Sequence, residues 1–393
     1  MRKGIVLAAP LVVAALVTAG CSSGSTSSTS SAPAASEPAA SAPAAGEPAA
    51  SAPAASPGTY DEPKQYQSAQ EVIDAYPTTA LCGTDDLKLA FPAGITNAWM
   101  KQTYQMILNE AAKCPNVTFQ IVDAQVDQQK AVSDVNSLVA QGVDGIVTLP
   151  IFGAAQIPSF KNALEAGVPV VTFIADSGGE AGTDVTAHVT QDLPKYGAGW
   201  ADWLNANLKK GTVIFLGNAP GQPSSVAAFG AFKTALEGYP DLKLVESDFV
   251  PTNNDAVVKK QAMTAMLAKH GCIDAVVTDN GAIDSSVIEA YNAAKCKLPY
   301  LANANTTNGL GCVWEKANFP LYSWDGSNDE GVVAMRRLLS AVNNIWTTEP
   351  LTVEPFVSVD SVNGIAPKCD PSVSPDVDWS TGLPVDQLQE ILK

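Results

Sequence analysis

Carboxylates and amides, rather than nucleophiles or metal ligands, dominate the side chains able to do chemistry in this 393-residue chain. Its only histidines are His188 and His270, and no G-x-S-x-G, H-E-x-x-H or phosphate-binding glycine loop occurs. Beyond Cys21 stand Cys82, Cys114, Cys272, Cys296, Cys312 and Cys369, with no C-x-x-C among them. Zinc is therefore disfavoured, and neither metal nor cofactor is expected. Asp176 and Asp325 could be imagined as the paired carboxylates of a secreted hydrolase, yet nothing in their spacing brings them within working distance. The stretch Asp325–Gly331 (DGSNDEG) has a faint calcium-loop look. Ser327 and Glu330 within it stand at capping-box spacing, however, and predict a helix over 332–342. The side chains that remain bind without reacting, so the chain is read as a non-enzyme.

The elements that must position these groups alternate. Leu87–Phe91 is a short apolar run, followed by Met100, Tyr104, Ile107, Leu108 and Ala111 at helical spacing. Strands at 117–122, 146–149 and 170–174 follow, separated by helical patterns. The order then restarts with strands at 186–190, 213–216, 242–249, 275–278 and 300–302. Near-continuous apolar strands alternating with helices imply parallel sheets covered on both faces. Two successive doubly wound halves predict two Rossmann-like lobes, an α/β architecture. Eight evenly spaced units, as a single barrel needs, are not apparent.

In open parallel sheets ligands bind beyond the carboxyl ends of the strands. The first strand leads into a turn holding Thr96, Asn97 and Trp99. Asn97 could bond hydroxyls and Trp99 cover an apolar ligand face, or Asn97 could cap the next helix and Trp99 enter the core. Asp176 follows the fourth strand, as a hydroxyl contact or as a turn residue. The same order pairs the cysteines. Cys82 and Cys114 bracket the first strand–helix unit, Cys272 and Cys296 bracket the 275–294 unit, and Cys312 with Cys369 remains by exclusion.

At the start, Arg2 and Lys3 precede an apolar run from Ile5 to Val17 and the junction Thr18–Ala19–Gly20–Cys21. This resembles a bacterial lipoprotein signal, departing from it at Thr18, and it implies Cys21 as an acylated N-terminus. An ordinary secretory signal with an incidental cysteine is the other reading. Two near-identical decamers, Ser36–Ala45 and Gly46–Ala55, then form an Ala/Pro/Ser stretch too polar and proline-rich to bury a core. Residues 22–60 are thus expected to be a disordered tether reaching on the order of 100 Å when extended. The formal charge of −17 argues against nucleic acid and anionic membrane surfaces as partners.

The phrases AQGVDGIVTLP (Ala140–Pro150), NALEAGVPVVTF (Asn162–Phe173) and DAVVTDN (Asp274–Asn280) together resemble the type I periplasmic sugar-binding proteins, the ribose/galactose kind that feeds an ABC importer. The resemblance implies that Asn97 and Trp99 clamp a sugar from the first lobe. It further implies that Asn280 bonds hydroxyls from the second lobe, joined by Asn303 and Asn305 where the family has a Gly-Phe-Asp turn. Trp324 and Asp325 fall near its hinge contact. The family's arginines are replaced, by Ala175 in the first lobe and Ala228 in the second, which departs from tight ring-sugar recognition. The implied boundaries are a leader over 1–21, the tether over 22–60 and a lead-in over 61–83. The N-terminal lobe would comprise 84–192 plus 326–352, and the C-terminal lobe 193–325 plus 353–393. The expected function is capture of a small neutral sugar or polyol by a monomer lipid-anchored outside the cytoplasmic membrane, with delivery to an ABC transporter permease. A ligand-sensing receptor for a membrane signalling partner is the alternative.

Overall fold

The structure, a computed structural model, describes residues 66–174, 176–345 and 350–393. Cys21, the leader and the tether lie outside the described residues. The first half runs β1 (Tyr66–Gln67), α1 (Ala69–Ala75), β2 (Leu87–Ala93), α2 (Ala98–Ala111), β3 (Val117–Asp123), α3 (Gln128–Ala140), β4 (Gly145–Thr148), α4 (Ile157–Glu165), β5 (Val170–Ile174) and β6 (Ala187–Gln191). The second half runs α5 (Leu193–Asn207), β7 (Gly211–Gly217), α6 (Pro223–Leu236), β8 (Leu242–Leu244), β9 (Val250–Pro251), α7 (Ala256–His270), β10 (Ala275–Thr278), α8 (Ser285–Ala294), β11 (Tyr300–Ala304), α9 (Asn308–Ala317) and β12 (Leu321–Asp325). The chain closes with α10 (Ser327–Val342), β13 (Thr352–Val353), β14 (Phe356–Asp360) and α11 (Val385–Ile391).

Two seven-stranded sheets result. The first has the order β1-β13-β6-β5-β4-β2-β3 and is wholly parallel. In the second, β14-β12-β11-β10-β7-β8, only β14 is antiparallel, and β9 pairs with the end of β7. The period-2 alternation of each strand feeds two faces. Phe91 packs with Ile107 of α2 and Leu338 of α10, while Ala90 and Ile146 meet Val135 and Phe160 of α3 and α4. Likewise Val213 and Phe215 face Trp200 and Phe232, whereas Ile214 and Val276 face Met263 and Tyr291. Helices α2, α3, α5 and α7 start at Asn97, Asp127, Asp192 and Asp255. Each of these side chains accepts the backbone N–H three residues on, satisfying a donor that would otherwise be orphaned.

The lobes are linked where β6 enters α5, where β12 enters α10 and where β13 passes to β14. Helix α10 and strand β13 belong to the first sheet's packing, since Met335, Leu338, Leu339 and Val353 lie in its core. Three disulfides join Cys82 to Cys114, Cys272 to Cys296 and Cys312 to Cys369.

Three sequence expectations are corrected. The strand expected over 242–249 is two short ones, β8 and β9, because residues 246–249 leave the ladder before Val250 rejoins it. The capping box at Ser327 and Glu330 does not form. The helix begins at Ser327 itself after Gly326, whose φ of 114° suits only glycine, and the Ser327 hydroxyl donates to Asn305 instead. The C-terminal residues 370–393, assigned to the second lobe, touch both.

Candidate functional site

The carboxyl ends of β2, β5, β6, β7, β10, β11 and β12 converge on the junction between the lobes, where the connection rule places a ligand. Gly153, after β4, marks how closely the lobes approach. A Cβ there would lie 3.1 Å from Cγ of Pro223 at the start of α6. Beside this contact runs a groove of about 680 Å³. Ile174, Asp176 and Gln191 line it from the first lobe, and Pro223, Ser224 and Ala227 from the second.

The expected residues divide into three groups. Trp99 and Asn305 come together from opposite lobes through Asn328. The indole Nε1–H of half-buried Trp99 donates to Asn328 Oδ1 at 3.1 Å, and Asn305 Nδ2 donates to the same oxygen at 3.3 Å. Asn328 Nδ2 in turn donates to Thr103 Oγ1 at 2.8 Å, fixing the shared amide. Asn305 has φ 66°, a left-handed conformation that asparagine tolerates better than other side chains, and Ser327 and Asp378 hold its amide.

Asn280 heads a second group. Its Nδ2 donates to Asn254 Oδ1 at 2.9 Å and lies 3.5 Å from Asn218 Oδ1. Beneath them Lys259, 1% exposed, donates to the Asn280 carbonyl at 2.6 Å and to the fully buried Asp284 at 2.6 Å. The other oxygen of Asp284 accepts from Thr278 and from Asn303 Nδ2. Asn303 is therefore fully buried in the supporting network under the strand ends, although Asn305, two residues on, faces the junction. Asp279, beside Asn280, has its carboxyl pushed up to about 6 by burial, opposed by the nearby Ser225 hydroxyl and by the Lys259 charge.

The rest are dispersed. Asn97 caps α2 through Met100 N at 2.8 Å. Asp176 is largely exposed. It accepts from Gly178 N and stands 3.3 Å from His188 Nε2, at the mouth of the groove. Trp324 packs into the second-lobe core between Tyr196 and Tyr322, over Gly199, where a Cβ would lie 2.3 Å from its ring. Its strand position explains this, because Tyr322 and Trp324 take the α5 side. Asp325, 1% exposed, has its carboxyl held well above the usual range by burial and by the neighbouring Asp378. Asp329 is pushed up to about 7 by burial and Asp378. The sequence reading did not single out Asn328, Lys259, Asp284 or Asp378. Asn328 lies inside the DGSNDEG run, in which Ser327 and Glu330 read as a capping box and Asp325 as a hinge contact.

Cationic groups near this junction are few. The described residues include two arginines, Arg336 and Arg337, both on α10, and Arg336 is buried against Glu110 and Thr78. A site of amides, carboxyls and an indole, with its buried lysine already engaged, can exchange hydrogen bonds with neutral hydroxyls, and the groups named above include no fork-shaped donor for an anion.

A family model described as periplasmic binding protein domain matches residues 90–308. The galactofuranose-binding protein of Escherichia coli is 27% identical over 207 residues, covering 51% of this chain and 63% of that protein. The chain therefore aligns with less than two thirds of that relative. The xylitol-binding protein of Mycolicibacterium smegmatis is 25% identical over 264 residues, covering 64% of this chain and 72% of that protein. Among solved structures, the fructose-binding periplasmic domain of a hybrid two-component system superposes with a TM-score of 0.64 at 21% identity, over 70% of this chain and 91% of that one. At that identity it shows a shared fold.

Proposed function

Because the chain belongs to the periplasmic binding protein domain family, we propose that it captures a neutral sugar or sugar alcohol between its lobes. Delivery to an ABC transporter permease, from a position anchored outside the cytoplasmic membrane through acylated Cys21, completes the reading. The observation that carries it is the meeting of Trp99 and Asn305, from opposite lobes, on one Asn328 amide. In the proposed bound state Trp99 covers an apolar ligand face, while Asn305 and Asn280 exchange bonds with hydroxyls. Asp176 and Asn97 contact the ligand from the first lobe, and Asp325 lies on the floor between the lobes. Asn303 acts by holding Asp284, and Trp324 by stiffening the second lobe. A ligand that touches both lobes selects the closed arrangement, and nothing is chemically changed.

The xylitol relative and the absence of arginine among the strand-end groups favour an open-chain polyol over a ring sugar acid. A thermal-shift screen of pentoses, hexoses, pentitols, inositols and amino acids tests this, since a ligand that binds only the folded state raises the melting temperature. No shift with any hydroxylated compound would overturn it. The second reading, sensing for a membrane signalling partner, draws on the fold shared with a two-component periplasmic domain. Genes for a permease and an ATPase beside this one would favour transport, and a kinase gene sensing.

A further inference from the structure

The chain does not end with the last strand of the second lobe. Residues 370–393 build a small core of their own from Val373, Val377 and Leu388, flanked by Trp379, Leu383 and Leu392. On one side this module is fastened to the second lobe. Cys369 is joined to Cys312 of α9, and Asn308 brackets the chain, accepting from Asp370 N at 2.7 Å and donating to Asp370 O at 2.9 Å. On the other side it grips α2 of the first lobe. Gln102, 1% exposed, accepts from Asp378 N at 2.8 Å and donates to Asp376 O at 3.0 Å, and Asn109 exchanges bonds with Gln387 at 3.0 and 3.1 Å. Between these grips the Asp378 carboxylate accepts from Asn305 Nδ2 at 3.1 Å through one oxygen and from Ser380 through the other.

We propose that residues 370–393 are a clasp that ties the lobes together, with Gln102 and Asp378 as positioning residues for the Trp99–Asn305 clamp. This deepens the sugar-binding reading and rests on it for what is retained. Three chain crossings alone leave the lobes free to bend about the hinge. The clasp adds a non-covalent link that a wide opening has to break on the α2 side, since the α9 side is covalent. It thereby favours arrangements close to the closed one and orients the Asn305 amide before a ligand arrives. Apparent affinity falls in proportion to the fraction of molecules in the competent arrangement. The acidic groups facing Asp378 are Asp325 and Asp329, and Lys368 stands over the Trp379 ring at 3.5 Å on the module's outer side.

The test uses the full chain with Asp378→Asn, which keeps the shape but presents an amide donor toward Asn305, and with Gln102→Ala, which releases α2. If Gln102→Ala fails to fold, the partly buried pair Asn109→Ala with Gln387→Ala serves instead. Spin labels on unnatural amino acids at exposed Ser133 of α3 and Val257 of α7 report lobe separation without ligand. Xylitol and D-ribose are the binding probes. We expect a broader, longer distance distribution after α2 is released, and dissociation about fivefold faster in both variants with association little changed. Folded variants with the wild-type distance distribution and wild-type dissociation would overturn the clasp. A broadened distribution in a protein that binds neither probe would support the clasp and count against the ligand reading.

Discussion

Replacing Lys259 by Met should damage the second lobe out of proportion to one side chain. Lys259 and Asp284 are 1% and 0% exposed and meet at 2.6 Å, and the ammonium also satisfies the Asn280 carbonyl. Methionine fills the same volume but leaves a buried carboxylate without its counter-charge and a carbonyl without a donor. Removing one partner of such a pair costs about 3–5 kcal/mol, because the other charge stays desolvated. At roughly 2–4 °C per kcal/mol for a unit of this size, the ligand-free melting temperature should fall by roughly 10 °C. The assay is calorimetry of the ligand-free protein, with the double variant Lys259→Met, Asp284→Leu beside it. The double variant should recover part of the loss, since no lone charge remains. Full recovery is not expected, because Thr278 and Asn303 lose their shared acceptor. A single variant melting within about 2 °C of the wild type would refute the argument that this pair holds up the strand ends.

Trp99→Ala should weaken binding of the best ligand about tenfold, while the ligand-free melting temperature falls by only a few degrees because the ring is half-buried; isothermal titration and melting on the same sample check both. Stability should decrease as pH rises from about 4 to 7. Burial raises the Asp329 carboxyl to about 7, far above its unfolded value of about 4, so the folded state holds a proton that the unfolded state releases, and the stabilisation is lost as pH passes through the folded value. Urea titrations at pH 5 and pH 7.5 should show this, with Asp329→Asn flattening the difference. Cys21→Ser should move the protein from the membrane fraction to the soluble one without changing its melting temperature, and unchanged fractionation would refute the anchor.

Much of the frame was legible because apolar runs of four or five residues between helical patterns leave little choice. The strands at 170–174 and 275–278 stand as read, those at 87–91, 117–122, 213–216 and 300–302 extend by one to three residues, those at 146–149 and 186–190 shift by one, and 242–249 is split. The site was less legible, because position after a strand tells which residues are near the junction but not which way they point. Asn303 and Asn305 share a strand face by period, yet Asn303 turns under to Asp284, while the left-handed backbone at Asn305 swings that amide toward Asp378. Trp324 and Asp325 are neighbours on opposite faces, so one enters the aromatic core. The 370–393 module was invisible to periodicity. Its proline-rich, polar sequence carries only a few scattered apolar residues, and its partners Gln102 and Asn308 lie far away in the chain.

The placement of α10 and β13 bears on the order in which the protein can be made. Strand β2 of the first sheet begins with Leu87, but α10, which shares one of the sheet's faces with α2, supplies Met335, Leu338 and Leu339 some 250 residues later, and Val353 comes later still. A ribosome or translocon that has released only the first two hundred residues has therefore released a sheet with part of one face open. Such long-range closure is slow and leaves early intermediates loosely packed. For a chain that the proposed leader threads across a membrane, delayed folding is an asset. The first lobe stays compliant until nearly all of the polypeptide has crossed, and the arrival of the last hundred residues seals both lobes.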